Sequence, residues 1–244
     1  LIGGDNSDAI DALKSIYLNW ISPEKIISTN LWSSELSKLT ANAFLAQRIS
    51  SINAIGALCE ATGANVNEVS NAIGRDHRIG DKFLNCGPGF GGSCFKKDIL
   101  NLIYLCDFYR LKDVADYWEG VLKINEFQMK RISNIVTEKL FGTLTNKKIS
   151  ILGFAFKKDT NDIRESPAIQ VSKDLIEEGA KVLIHDPKVK KYQIEEVLGP
   201  LENVSPDGEI MNSVSWDCFD NISQTLVGAD AVLILTEWDE YKNI

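Results

Sequence analysis

Histidine is scarce in this chain of 244 residues, which holds only His77 and His185, and its five cysteines, at 59, 86, 94, 106 and 218, form no CxxC pair. Zinc sites draw on closely spaced Cys and His, so a metal centre of that kind is not expected. The odd number of thiols fits a reducing compartment. No apolar run is long enough to span a bilayer and nothing resembles a signal peptide, so the sequence points to a cytoplasmic protein with no membrane partner. A basic surplus is missing too: 34 acidic residues outnumber 26 basic ones, for a net charge of -8. That balance argues against a nucleic-acid partner, while a local basic patch for a phosphate ligand stays compatible with it. The chain also lacks an initiator methionine and a tail, opening on Leu-Ile-Gly-Gly-Asp and stopping at Tyr-Lys-Asn-Ile. It is expected to be a piece of a longer protein.

What is present is an ordinary globular composition, 44% hydrophobic and 25% charged, in a chain long enough for roughly two domains. The stretch from Asn85 to Asp98 concentrates flexible backbone, a thiol and a carboxylate. Glycines at 87, 89, 91 and 92 let a ligand approach the main chain closely. Beyond them Ile99, Leu102, Ile103 and Cys106 recur at helical spacing, with Ser93 as a good N-cap, which places Cys94 in the first turn. A thiol there meets the positive end of the helix dipole and free amide donors, both of which favour thiolate. Asp98 follows four residues later on the same face, where it suits holding a water or a cation near the sulfur. The bland alternative is a capped helix with a buried cysteine acting as a small hydrophobe.

In chain order, residues 1–30 read as the end of an α/β unit, with a strand at Leu1-Ile2, a helix from Ser7 to Trp20 and a strand at 25–28. Such a tail cannot bury its faces alone. From Trp32 to about Thr62 runs a long helix capped by Ser33 or Ser34 and stopped at Gly63, with Leu36, Leu39, Ala43, Ala46, Ile49 and Ile52 on one stripe. Lys38 and Asn42 stand at i and i+4 on one side of it among small neighbours, so a partly buried ammonium there would want an anionic partner; a solvated pair is the alternative. A second helix spans Asn65 to Gly74 with Glu68 completing a capping box, and a charged loop, Arg75 to Arg78, follows. In that loop His77 reads as solvated, with a general-base role as the alternative. Helical patterns at 97–108 and 114–141 make residues 31–141 an all-helical block.

At Lys147 the period changes. A strand at 148–153, a helix opened by Ser166-Pro167, a strand at 181–186 and another at 230–235 predict a Rossmann-like parallel sheet with helices on both faces over 142–244. The turn after Gly153 is not GxGxxG, so no dinucleotide site is expected there. Lys157, Lys158 and Arg164 supply positive charge for phosphates or form a solvated basic loop. Asp186 is expected to start the turn at Pro187 rather than to bind a ribose.

Three islands together, Trp32 to Phe44, Gly89 to Asp98 and Leu152 to Ser166, resemble the UDP-glucose 6-dehydrogenase family of nucleotide-sugar dehydrogenases, in a eukaryotic-looking version, and the likeness runs through the whole chain. The resemblance implies an α/β protein in three parts: 1–30 as the remnant of an NAD-binding Rossmann domain, 31–141 as a long-helix central domain carrying the dimer contact, and 142–244 as a UDP-binding Rossmann-like domain. It implies NAD as cofactor, UDP-glucose as substrate, and self-association, with a dimer as the minimum and a hexamer as the assembly the likeness suggests. By position it makes Cys94 the nucleophile, Lys38 and Asn42 the oxyanion or water-positioning groups, and Asp98 their hydrogen-bonding partner. Lys38 and Asn42 also count among the substrate contacts, with Arg78 lent to a neighbouring subunit's substrate. Asn85, Gly89, Phe90, Gly91, Phe156 and Lys157 match substrate-loop positions, and Cys94 and Arg164 lie by the cofactor. Asn85 departs from the lysine that tends to stand there in animal members. Other readings are a dehydrogenase for GDP-mannose or a UDP-N-acetyl sugar, a binding and oligomerisation module, and a thiol hydrolase, against which the want of a histidine partner counts.

Overall fold

The computed structural model describes residues 1–200 and 215–244. Two short parallel strands, β1 (Ile2–Gly3) and β2 (Ser28–Thr29), flank α1 (Ser7–Tyr17), whose N-terminus is capped by Asn6 accepting from the Ala9 N–H at 3.0 Å. Ile2 is buried and Gly3 lies close against Ser34 of the long helix that follows β2, while α1 buries no residue. The expected strand at 25–28 shifts later because Pro23 opens a 3-10 turn over Pro23–Lys25.

The helical block follows. The long helix α2 (Leu31–Thr62) starts one residue before the expected tryptophan, since Asn30 rather than Ser33 or Ser34 supplies the cap oxygen, accepting from the Ser33 N–H at 2.8 Å. Its buried seam is Ala43, Ala46, Ser50, Ile52, Asn53, Gly56 and Cys59. Leu36, expected on the buried stripe, is exposed instead. Next come α3 (Val66–Gly74), α4 (Phe95–Phe108) and α5 (Lys112–Lys139). At α3, Asn65 caps the Asn67 N–H at 2.9 Å. Packing of α2, α4 and α5 encloses Ala43, Ala46, Ile99, Leu102, Ala115, Trp118 and Val121, with Phe90 from the loop before α4 sealed into the same core. Burying an apolar side chain of this size stabilises by about 1.5–3 kcal/mol, so the loop is tied down by its own aromatic residue.

The last part holds a parallel sheet in the order β5 (Trp216–Cys218), β4 (Lys181–His185), β3 (Lys148–Leu152), β6 (Ala231–Ile234). In register, Ile151 pairs with Ile184 on one side and Leu233 on the other. Strands β3 and β4 are buried at every residue after the first lysine, as strands covered on both faces are, and the one hydroxyl inside β3, Ser150, donates to the Thr225 carbonyl at 2.6 Å. Helix α6 (Pro167–Glu177) links them, with Ser166 as N-cap and proline in the first turn. Two helices not expected from the sequence, α7 (Lys191–Leu198) and α8 (Ile222–Leu226), complete the connections. The span 142–244 expected as one unit includes residues 201–214, which lie outside the described residues. Asp174 of α6, buried, accepts from Ser133 of α5 at 3.0 Å and from Gln170 at 2.8 Å, joining sheet and helical block through a satisfied carboxylate.

Candidate active site

The start of α4 is the centre of the arrangement. Cys94, and not Ser93, is the N-cap residue: its carbonyl accepts the Asp98 N–H at 2.8 Å, its thiol makes no capping bond, and the side chain is exposed. The Ser93 hydroxyl turns toward the sulfur instead, at 3.5 Å. A second thiol in the loop, Cys86, differs in kind: burial pushes its pKa up, opposed in part by Arg131. It stays a neutral thiol, which leaves Cys94 as the accessible sulfur of the pair.

Helix α2 crosses behind this turn and brings two donors to Asp98. Lys38 Nζ donates to Oδ2 at 2.8 Å and Asn42 Nδ2 to the same oxygen at 2.6 Å. Partial burial alone would raise the Asp98 pKa, but these hydrogen bonds, with the charges of Lys38 and Lys97, hold the carboxyl below its usual range. The expectation of a partly buried ammonium is corrected: the Lys38 side chain is 64% exposed and reaches the carboxylate from the solvent side. Its head still has two hydrogens to offer, and Asn42 has one.

From the other side the loop joining β3 to α6 closes on the glycine-rich loop. Gly92 N–H donates to the Arg164 carbonyl at 2.8 Å, and Lys96 pairs with Glu165 at 2.9 Å. Gly91 makes the approach possible, because a Cβ there would stand 2.3 Å from the Glu165 carbonyl oxygen and 2.9 Å from Phe156 Cβ. Phe156 thereby lies against the loop, with Lys157 Nζ 5.3 Å from its ring centre. Arg164 is exposed; hydrogen bonds from its guanidinium to Asp162, the shortest 2.7 Å, hold it firmly charged, and the Cys94 sulfur acts in the same direction. Asp186 behaves as the turn former expected: Oδ1 accepts the Lys188 and Val189 N–H groups, while Oδ2 accepts those of Phe154 and Ala155 and so shapes the loop that carries Phe156.

Cys94, Asp98, Lys38, Asn42, Gly91, Phe156 and Arg164 are thus drawn around one short segment. Arg78 is not: its side chain is exposed after α3 and its hydrogen bonds go to Asp76. Asn85 is exposed at the loop's start, and His77 is exposed beside Arg78. Lys158 faces away toward Asp239 at 3.7 Å. A cavity of about 460 Å³ lies beside the loop, between Gly91-Gly92, α5 and the start of α6, with Leu122, Met129 and Ile169 in its wall. Cys94 and Lys38 are outside it.

Sequence reasoning missed three residues that shape the glycine-rich loop and one that holds the segment before it. Arg48 of α2 donates to the carbonyls of Ile79, Gly80 and Lys82. Asn53, Asn125 and Gln128 hold the backbone of Gly87 and Phe90. For the three amides the only signal was a carboxamide at a buried helical position, where apolar residues are the rule.

Two family models match the chain: the central domain of the UDP-glucose/GDP-mannose dehydrogenase family over residues 32–127, and that family's UDP binding domain over 150–244. UDP-glucose 6-dehydrogenase 2 of Oryza sativa subsp. japonica and UDP-glucose 6-dehydrogenase 3 of Arabidopsis thaliana are each 52% identical over 258 aligned positions, which take in the whole of this chain. A UDP-glucose dehydrogenase structure from the hyperthermophilic archaeon Pyrobaculum islandicum superposes with a TM-score of 0.87 at 31% identity, covering 99% of this chain and 51% of that one. The chain spans about half the length of the curated relatives it matches, 53% of each. With both domain models in order along it, the chain belongs to the UDP-glucose/GDP-mannose dehydrogenase family.

Proposed function

We propose that this chain carries the nucleophile and the sugar-nucleotide side of an NAD-dependent UDP-glucose 6-dehydrogenase, which oxidises UDP-glucose to UDP-glucuronate. The observation that carries it is the exposed Cys94 at the start of α4 with Asp98 one turn on, holding Lys38 and Asn42. Taking a primary alcohol to an acid without losing the aldehyde needs a nucleophile that keeps it on the protein, and a thiolate is suited to this at neutral pH.

Cys94 Sγ adds to the aldehyde carbon, forming the C–S bond of a thiohemiacetal while the carbonyl oxygen becomes an oxyanion. The spare donors of Lys38 and Asn42 meet that oxyanion; removing one such donor typically costs on the order of a hundredfold in rate. Asp98 fixes both donors before substrate arrives, so their orientation is set in advance. Loss of a hydride from that carbon collapses the oxyanion to a thioester; water then attacks the thioester carbon, the C–S bond breaks, and the acid leaves with the thiol restored. When bound, NAD supplies the hydride acceptor for both oxidations. Arg164, exposed and firmly cationic beside Cys94, suits the cofactor's pyrophosphate. Phe156 and Lys157, with Asn85 to Gly91, form the substrate side in this reading.

The same proposal divides the chain into 1–30 as the end of an NAD-binding domain, 31–141 as the central domain and 142–244 as the UDP-binding domain, and includes a dimer as the minimum assembly. Exposed Trp32, Phe44, Leu58, Tyr104 and Phe108 on α2 and α4 support an apolar contact between copies. Arg78, exposed and held by Asp76 rather than by any residue of the Cys94 cluster, suits a role at a neighbour's site. The test is Cys94→Ser in the full-length protein. UDP-glucose still binds by calorimetry and acid formation stops; unimpaired NADH production by this variant overturns the assignment. Turnover on UDP-glucose against GDP-mannose and UDP-N-acetyl sugars fixes the substrate.

A further inference from the structure

Three buried carboxamides hold the glycine-rich loop without any part in the chemistry described above. Asn125 of α5 uses both ends of its amide on one residue, accepting the Phe90 N–H at 2.8 Å and donating to the Phe90 carbonyl at 3.1 Å. That is the pairing a neighbouring strand would offer, supplied by a side chain to a loop that pairs with no strand among the described residues. Gly87 is held in the same two-sided way by two helices: Asn53 of α2 accepts its N–H at 2.9 Å, and Gln128 of α5 donates to its carbonyl at 2.8 Å. Between them Gly89 adopts φ +125°, and a Cβ there would lie 2.8 Å from the Asn125 oxygen. The loop shape and the amides therefore fit one another closely.

We propose that Asn125, Gln128 and Asn53 are positioning residues for the sugar-nucleotide site, setting the backbone of Gly87 to Phe90 so that the loop meets substrate in one conformation. The inference rests on the dehydrogenase reading and names residues that reading leaves without a role. Helix packing alone does not account for them. All three are at most 6% exposed on seams that pack against other helices, where an apolar side chain would bury more favourably. Asn53 Nδ2 and Gln128 Oε1 have no partner among the described residues, a cost to folding that an apolar pair would remove. What the amides supply instead is four directional bonds on two loop residues, and the next residues along are Gly91, closed against Phe156 and Glu165, and then Cys94.

The experiment uses the full-length protein with Asn125→Ala, Gln128→Leu and the nearly isosteric Asn125→Asp, which keeps an acceptor for the Phe90 N–H but turns an oxygen toward the Phe90 carbonyl. The expected result is a KM for UDP-glucose raised about tenfold or more in Asn125→Ala, as loss of two hydrogen bonds to a buried loop implies. The KM for NAD stays within about twofold, because the amides do not reach the cofactor side. Asn125→Asp, which fits the same space, moves in the same direction. A lowered melting temperature with an unchanged KM for UDP-glucose in both Asn125 variants overturns the proposal, since that is what a purely structural role produces. Amide hydrogen exchange at Phe90 separates this from the parent reading. If the wild-type protein binds no UDP-glucose, the dehydrogenase reading fails; positioning of the loop is then supported by faster Phe90 exchange in Asn125→Ala and overturned by its absence.

Discussion

Replacing Gly91 by alanine perturbs the joint between the two halves of the site with a single methyl group. The added Cβ would stand 2.3 Å from the carbonyl oxygen and 2.9 Å from the carbonyl carbon of Glu165, and 2.9 Å from Phe156 Cβ, where ordinary contact begins at 3.4 Å. Backbone must therefore retreat by about 1 Å, because no flexible side-chain end stands there to yield. Overpacking of that kind costs about 1–3 kcal/mol. The displaced segment carries Phe156 and Arg164, so the damage falls on ligand binding as well as on stability. Gly120→Ala in α5 is the control: nothing lies within 4 Å of a Cβ there, its backbone is not in the left-handed region, and it lies outside the glycine-rich loop. That substitution is expected to be neutral or to stabilise by about 0.4–1 kcal/mol through the unfolded chain. Urea denaturation of both variants, with UDP-glucose titration by calorimetry, reads the difference. Equal stability and equal affinity in Gly91→Ala and Gly120→Ala would refute the close-approach reasoning.

The remaining expectations concern charge and core. The folded Asp98 pKa lies below its ordinary 3.8, so its contribution to stability is complete above that value and is lost as the pH falls through the lower folded one. The gap between wild type and Asp98→Asn in denaturation midpoint should therefore narrow as the pH is taken from 6 toward 3, about pH 4 marking where it starts to close. With Lys38 64% exposed, the gap itself stays under about 1 kcal/mol; a gap that widens in acid contradicts the pairing. Lys38→Ala is expected to lower kcat on the order of a hundredfold with a smaller loss of UDP-glucose affinity, read by steady-state kinetics of the full-length protein. Ile99, fully buried beneath the Cys94 turn, should cost about 2–5 kcal/mol as Ile99→Ala, measured by thermal or chemical unfolding.

The local elements were legible because each is written in short-range chemistry. Ser166-Pro167 announces α6, Gly63 closes α2, and the mainly apolar stretches at 148–152 and 181–185 read as strands. Lys38, Asn42, Cys94 and Asp98 were found as two separate spacings of four residues, and helical periodicity alone sets those. Misplacements came at ends: Asn30 and Cys94 took cap positions expected of nearby serines, because several residues in a row can satisfy the same first-turn donors.

Only the tertiary structure decided that the two spacings meet. Residues 38 and 98 are brought within 2.8 Å by the crossing of α2 and α4, a contact no local pattern contains. The same is true of Gly91 against Glu165 and of the amides that hold Gly87 and Phe90, since a loop without its own backbone ladder takes its shape from whatever distant groups pair with it. By itself, then, the sequence determined which residues share a helical face and where helices and strands run, because propensity and periodicity act over a few residues. Which faces meet, and so which side chains form a site, was left to packing between segments far apart in the chain.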